Sequence, residues 1–256
     1  MYAKLSIIIP AYNEEKRLPL TLARLFAVMG EHYKGHYEVI IADDGSTDET
    51  AREAEKEAAR HSELRLVSFA KNRGRGAVVR DSVLKEVSGD FILQMDADGS
   101  TEMEAIPRFV SYLTEHAEVD ILTGSRTIAG AKILTPQPFL RVALGNCFLG
   151  AAKIMFGWPM VDRINGFKMF RRAAALDSYA HQFSDHYIAE AEIVFVAERR
   201  GWRVWELPIL WTDYRDSRIK PLRDSWRSAA GMVRILINNR RGLYSQNLPN
   251  HHAPAH

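Results

Sequence analysis

Two aspartates one residue apart, Asp96 and Asp98, end the apolar run Phe91-Ile92-Leu93-Gln94-Met95 and are followed at once by Gly99. A strand that stops on such a pair can aim both carboxylates at one point beyond the sheet edge. Left alone they repel each other. A divalent cation relieves the repulsion, and a set of oxygen ligands suits Mg²⁺ or Mn²⁺. Magnesium is usually held by one or two carboxylates plus substrate phosphates. The pair therefore predicts a metal that arrives with a phosphorylated ligand, against the plainer reading of a solvated turn.

Other residues extend that chemistry. Asp44 can accept a hydrogen bond from the ring N–H of uracil or guanine, Tyr12 can pack on a base, and the backbone at Pro10-Ala11 can approach it closely. Arg73 and Arg75, spaced by Gly74 and Gly76, suit a nucleoside diphosphate: the glycines admit main chain, and arginine matches phosphate oxygens in bidentate fashion. The N-x-G-x-G spacing is not the dinucleotide fingerprint, and it follows the third predicted strand rather than the first, which disfavours a nicotinamide enzyme.

These residues need a scaffold, and the pattern supplies one. Buried strands are predicted at 5–9, 37–42, 64–69, 90–95 and 119–123, with helices at 14–29, from the capping box Ser46-Thr47-Asp48-Glu49 to 60, at 76–87, and from Thr101-Glu102-Met103-Glu104 onward. Apolar strands alternating with helices indicate an α/β fold with a doubly wound, mostly parallel sheet. In such sheets ligands collect at the carboxyl ends of the strands. Those ends carry Pro10-Ala11-Tyr12-Asn13-Glu14, Asp43-Asp44-Gly45-Ser46, Lys71 through Gly76, Asp96 through Gly99, and Gly124-Ser125-Arg126. Polar and glycine-rich loops thus recur along one edge. Beyond Arg126 the pattern loosens, with a helix expected at 188–200, a strand at 203–211, a basic loop at 214–223 and an amphipathic helix to about 237.

Composition excludes some classes. A net charge of +2 over 256 residues argues against a general nucleic-acid binder. The single cysteine, Cys147, excludes an internal disulfide framework or a cysteine-based zinc site. The chain moves from Met1 almost directly into a strand without a leader-like segment, so a cytosolic protein is expected. No segment reaches the length and purity of a spanning helix. The nearest, 139–158, is broken by Arg141, Asn146 and Lys153, and reads as a buried or subunit-packing helix, which would make the chain a homo-oligomer, or as a helix lying in a membrane interface.

Taken in order and spacing, Ile9 through Glu14, Asp43 through Asp48, Asn72-Arg73-Gly74-Arg75-Gly76, Asp96-Ala97-Asp98-Gly99, Gly124-Ser125-Arg126, Asp162 through Lys168, Glu192, and Trp211-Thr212-Asp213 with Ser217-Arg218 resemble the family-2 glycosyltransferases of GT-A fold. The polyprenyl-phosphate branch, dolichyl-phosphate glucosyltransferases and mannosyltransferases, is the most similar. The resemblance runs from Leu5 to about Pro221. It implies transfer of a hexose, with inversion, from UDP-glucose or GDP-mannose to a lipid phosphate. It implies donor binding by Pro10, Ala11, Tyr12, Glu14, Asp43, Asp44, Lys71, Arg73, Gly74, Gly76, Asp96 and Ala97, and a metal on Asp96 and Asp98. Arg126 and Arg218 would hold the acceptor phosphate, Arg218 standing where the branch has lysine. An ionised phosphate needs no strong base, whereas a sugar hydroxyl does; Asp162, Glu190 and Glu192 are the candidates. Glu190 and Glu192, two apart on a helix, must face different ways, and Glu192 is the one favoured.

The resulting division is a GT-A domain at 1–221, with a nucleotide-binding half at 1–126 and an acceptor half at 127–221, then an amphipathic helix at 222–242 and a flexible tail at 243–256. The helix places Leu222, Trp226, Ala229, Val233 and Ile237 on one face, flanked by arginines, which suits peripheral contact with an anionic membrane on its cytoplasmic side. Three alternatives stay open. One is a soluble family-2 enzyme acting on a glycan or small-molecule hydroxyl, and another is a non-catalytic nucleotide-sugar-binding subunit. The third, a sugar-1-phosphate nucleotidyltransferase, would carry its glycine-rich loop after the first strand.

Overall fold

The computed structural model describes residues 4–33, 35–135, 139–158, 162, 164–214 and 221–245. The strands are β1 (Leu5–Ala11), β2 (Tyr37–Asp43), β3 (Leu64–Ser68), β4 (Phe91–Gln94), β5 (Ile121–Ser125), β6 (Lys132–Thr135), β7 (Lys168–Arg171), β8 (Val204–Pro208) and β9 (Leu210–Thr212). The helices are α1 (Leu18–His32), α2 (Thr50–Ala58), α3 (Arg75–Glu86), α4 (Ala105–Glu115), α5 (Phe139–Phe156), α6 (Arg172–Ala180), α7 (Ala189–Arg199) and α8 (Pro221–Arg240). Seven strands form one sheet in the order β3-β2-β1-β4-β7-β5-β8, and β6 pairs with β9 in a small second sheet.

Alternation along β1 explains why both sheet faces are covered. Leu5, Ile7 and Ile9 pack with Leu22, Leu25 and Phe109 on one side, while Ile8 joins Val79, Val83 and Phe195 on the other. The consecutive βαβ units β1-α1-β2-α2-β3 and the parallel pairing of β1 with β4 bring the loops after β1, β2, β3 and β4 to one edge.

Three local expectations change. β7 has no counterpart among the strands expected from sequence; it runs antiparallel between β4 and β5, so the sheet is mixed. The strand expected at 203–211 is two, because the chain leaves the main sheet at Pro208 and resumes at Leu210 against β6. The predicted capping boxes do other work. Asp48 takes the Thr50 N–H at 3.0 Å, but the Ser46 hydroxyl accepts from Asn13 N–H at 2.8 Å and the Asn13 side chain accepts from Thr47 N–H at 2.7 Å. These bonds lace the loops after β1 and β2 together, with Asn13 held at φ +55°. Likewise α4 begins at Ala105, and Thr101 forms an isolated bridge with Trp211 instead.

Candidate active site

The loops after β1, β2, β3 and β4 enclose a cavity of about 310 Å³ lined by Pro10, Ala11, Tyr12, Glu14, Asp44, Asn72, Gly74, Arg75, Val78, Asp96, Ala97 and Asp98. Tyr12 is half-exposed at its mouth, placed to offer a ring face. Asp44 is buried, and its two oxygens accept from the N–H groups of Arg73 at 2.6 Å and Gly74 at 2.9 Å. Burial nonetheless pushes its carboxyl above the ordinary value. Asp43 serves the turn, accepting from Ser46 N–H at 3.2 Å. Glu14 is committed to Arg17, at 2.6 and 2.5 Å.

The loop after β3 works through its main chain. Gly74 is at φ +99°, and a Cβ there would run into the His186 ring and the Asp185 carbonyl. A Cβ on Gly76 would meet Ala189 and the Ser184 carbonyl. Gly74→Ala is therefore expected to displace this loop from the cavity edge and to lower the melting temperature, read by thermal unfolding, since both conformation and space are lost. The arginines behave differently from each other. Arg73 pairs with Asp81 on α3 at 2.8 Å and lies over Phe69, so its guanidinium does not line the cavity. Lys71 is exposed and also lies outside the lining, while Asn72 is part of it.

Arg75 organises the carboxylate corner. Its Nε and Nη2 donate to Asp96 Oδ1 at 3.1 and 2.6 Å, and Nη1 pairs with Glu190. Glu190 in turn accepts from Gln94 Nε2 at 2.7 and 2.9 Å and from the buried Lys168 ammonium. Tyr179 donates to Gln94 from below. Burial, and the neighbouring Arg75 charge, depress Lys168 well below the usual lysine range. Gly166 abuts the Asp96 carboxylate so closely that a Cβ there would collide with both oxygens. Asp96 is thus fixed from two sides. Asp98 accepts from Ser100 N–H at 2.9 Å, and burial followed by the charge of Asp96 raises its carboxyl.

That strain is what a divalent cation would relieve, so the residues fit one. Among the described residues no cluster of three or more His, Cys, Asp or Glu offers a self-sufficient site. Two carboxylates with the remaining positions left to a diphosphate and water match magnesium-type binding.

On the far side of β4, Asp162 is fully buried and takes Arg126 as a fork: Nε at 2.8 Å, Nη2 at 2.7 Å, with the Arg126 N–H also at 2.8 Å. Burial opposes the Arg126 charge, but the bonds to Asp162 outweigh it and raise its pKa further. The guanidinium lies over Trp211, 5.3 Å from the ring centroid, and Nη1 keeps no hydrogen bond among the described residues.

Glu192 is not in this assembly. Its oxygens accept from Ser184 N–H at 2.6 Å, Phe183 N–H at 3.2 Å and the Tyr244 hydroxyl. The helix turns Glu190 to the site instead, which corrects the choice made from sequence. Arg218 lies outside the described residues. Of the support residues, Lys168 enters the sequence reading only as the end of a matched segment, with no role, and Gln94 has none, although a glutamine inside the apolar run of β4 was a usable signal.

Solved structures with this architecture include glucosyl-3-phosphoglycerate synthase from Mycobacterium tuberculosis in complex with Mn²⁺, UDP-glucose and phosphoglyceric acid, at TM-score 0.65 and 19% identity over 94% of this chain and 80% of that one. Staphylococcus aureus TarS aligns at TM-score 0.59 and 20% identity over 96% and 67%. The fold is GT-A, the class that the resemblance of the sequence motifs implied. Residues 6–177 match the model described as glycosyl transferase family 2, and the chain belongs to that family as a glycosyltransferase. It is 33% identical to dolichyl-phosphate beta-glucosyltransferase ALG5C of Trichomonas vaginalis over 94% of this chain and 73% of that protein. Its identity to the Saccharomyces cerevisiae dolichyl-phosphate beta-glucosyltransferase is 29%, over 95% and 77%.

Proposed function

We propose that this glycosyltransferase moves glucose from UDP-glucose to a dolichyl-type polyprenyl phosphate, inverting the anomeric centre. The observation that carries the reading is the fate of the carboxylates. Asp162 is saturated by Arg126, Glu190 by Gln94, Lys168 and Arg75, Glu192 by the 183–184 backbone and Tyr244, and Glu14 by Arg17. Each of these described candidates is thus already engaged by buried donors or a cation, which disfavours it as the base that a sugar hydroxyl needs. An acceptor that is already anionic needs none, and Arg126 Nη1 supports such an acceptor. Names of the relatives favour glucose and dolichyl phosphate, and the bound UDP-glucose of a structural neighbour favours uridine over guanosine.

In this reading Asp44 and Tyr12 hold the base, and the main chain at Gly74 admits the diphosphate. A phosphate oxygen of the acceptor, oriented by Arg126, attacks C1 as the bond to the diphosphate breaks and its electron pair leaves with the β-phosphate. A divalent cation, Mg²⁺ or Mn²⁺, when held by Asp96 and Asp98 supplies Lewis-acid stabilisation of the charge on that leaving group. Arg75 and Glu190 keep Asp96 in its orientation.

A lipid acceptor requires contact with a membrane surface, and no described helix is long and apolar enough to cross one. β6, whose Ile133 pairs with Trp211, shows Ile133 at 50% and Leu134 at 60% exposure close to Arg126. α8 buries Met232 and Ile235 but leaves Val233 and Ile237 outward beside exposed Arg234 and Arg240. The side chains of Leu222 and Trp226 lie outside those described. These surfaces support peripheral docking on anionic lipid.

The test is incubation of labelled UDP-glucose and GDP-mannose with vesicles bearing dolichyl phosphate, with Mn²⁺ or Mg²⁺. Label from UDP-glucose is expected in a solvent-extractable, acid-labile lipid. Label confined to water, with transfer to a soluble phosphate or hydroxyl acceptor, overturns the lipid assignment.

A further inference from the structure

Glu192 is buried, charged and outside the chemistry above, and its partners lead somewhere specific. One oxygen takes the hydroxyl of the fully buried Tyr244, in the turn after α8, which also accepts from Asn238 Nδ2 at 3.2 Å. The other oxygen takes the N–H groups of Phe183 and Ser184. The loop so held is the one that backs the diphosphate loop. Gln182 Nε2 donates to the Gly76 carbonyl at 3.1 Å and to the Ser184 carbonyl at 2.7 Å. The Ala77 N–H donates to the Asp185 carbonyl at 3.1 Å, and Arg80 Nη1 reaches Asp185 Oδ1 at 3.0 Å. His186, Asp185, Ser184 and Ala189 fill the space beside Gly74 and Gly76. From there the Gly74 N–H passes to Asp44.

We propose that the C-terminal turn positions the nucleotide-binding loop from outside the site, with Tyr244, Glu192 and Gln182 as positioning residues for the donor. The proposal rests on the donor-site assignment made above. In it, the turn at 241–244 holds loop 182–187 against residues 74–77, so that the N–H groups that fix Asp44 and the place of Arg75 beside Asp96 are preset. Preset donors bind more tightly because less ordering is left to the ligand. A surface event that shifts α8 would then be felt as a change in donor affinity rather than in the chemical step.

The experiment uses the full chain and calorimetric titration with UDP and with GDP in the presence of Mn²⁺, together with steady-state kinetics and melting curves. Tyr244→Phe keeps the ring and removes one hydroxyl; Gln182→Met keeps the length and removes the amide. Each is expected to weaken binding of the preferred nucleotide about tenfold, the scale of one lost buried hydrogen bond. Donor KM should rise in parallel, with kcat at saturating donor and acceptor KM within about twofold, and Glu192→Gln should fall between wild type and Glu192→Ala. Wild-type nucleotide affinity in both Tyr244→Phe and Gln182→Met overturns the proposal, as does a fall in kcat with affinity unchanged. Failure of the wild-type chain to bind either nucleotide overturns the donor-site assignment itself. Binding without transfer to lipid leaves the brace standing and sinks only the acceptor.

Discussion

Asp98→Asn is expected to fold normally and to lose transfer activity by about 10²–10³-fold or more, the scale seen when one charge-stabilising group is removed from a transition state. The effect is electrostatic. Asp98 is pressed upward first by burial and then by Asp96, so the apo protein holds two carboxylates that oppose each other. Asparagine keeps an oxygen for the Ser100 N–H, which the structure shows at 2.9 Å, and therefore preserves the turn. Removing one charge relieves the repulsion, so the melting temperature without metal should stay level or rise. What should shrink is the upward shift expected of the wild type with Mn²⁺ and UDP, since stabilisation follows occupancy. Chelated wild-type enzyme turning over at full rate would refute the metal assignment, and so would an Asp98→Asn variant that keeps both the shift and the activity.

The second large effect is expected at Arg126. Arg126→Lys keeps the charge but cannot reproduce the two parallel bonds to Asp162, made by Nε and Nη2, and still present a third nitrogen outward. The variant should lose about 10–100-fold in kcat/KM for the lipid phosphate, as for a hydrogen bond between charged groups. UDP binding should be unaffected, because Arg126 lies outside the cavity lining. Arg126→Ala is a different experiment: it leaves Asp162 buried without its counter-charge and should destabilise the fold by about 3–5 kcal/mol. A matched loss of UDP affinity in Arg126→Lys would move this arginine to the donor side and remove the basis for an anionic acceptor.

How far the sequence carried these conclusions differs from residue to residue. The parallel strands and their loaded ends were legible because the signals are local: β-branched apolar runs closed by carboxylates and glycines. Asp44, Asp96, Asp98, Gly74 and Tyr12 all reach the cavity for that reason. β7 was illegible because its four residues carry little pattern, and its direction is fixed by where the segment from Asp162 returns. Glu190 and Glu192 show the same limit at the scale of one helix. Spacing separates their faces; only the partners that meet α7, Gln94 and Lys168 on one side and the C-terminal turn on the other, decide which face looks inward. Arg73 and Arg75 were equivalent in sequence, yet Asp81 claims one and Asp96 with Glu190 the other.

The antiparallel strand has one further implication. β5, which delivers Arg126, borders only β7 and β8, and both come from later in the chain. A fragment ending at residue 126 would carry its last strand with no hydrogen-bonding neighbour on either side. The division expected from sequence at residue 126 therefore does not coincide with a break in the sheet, and recombination between related enzymes at that seam would exchange half a ladder instead of a module.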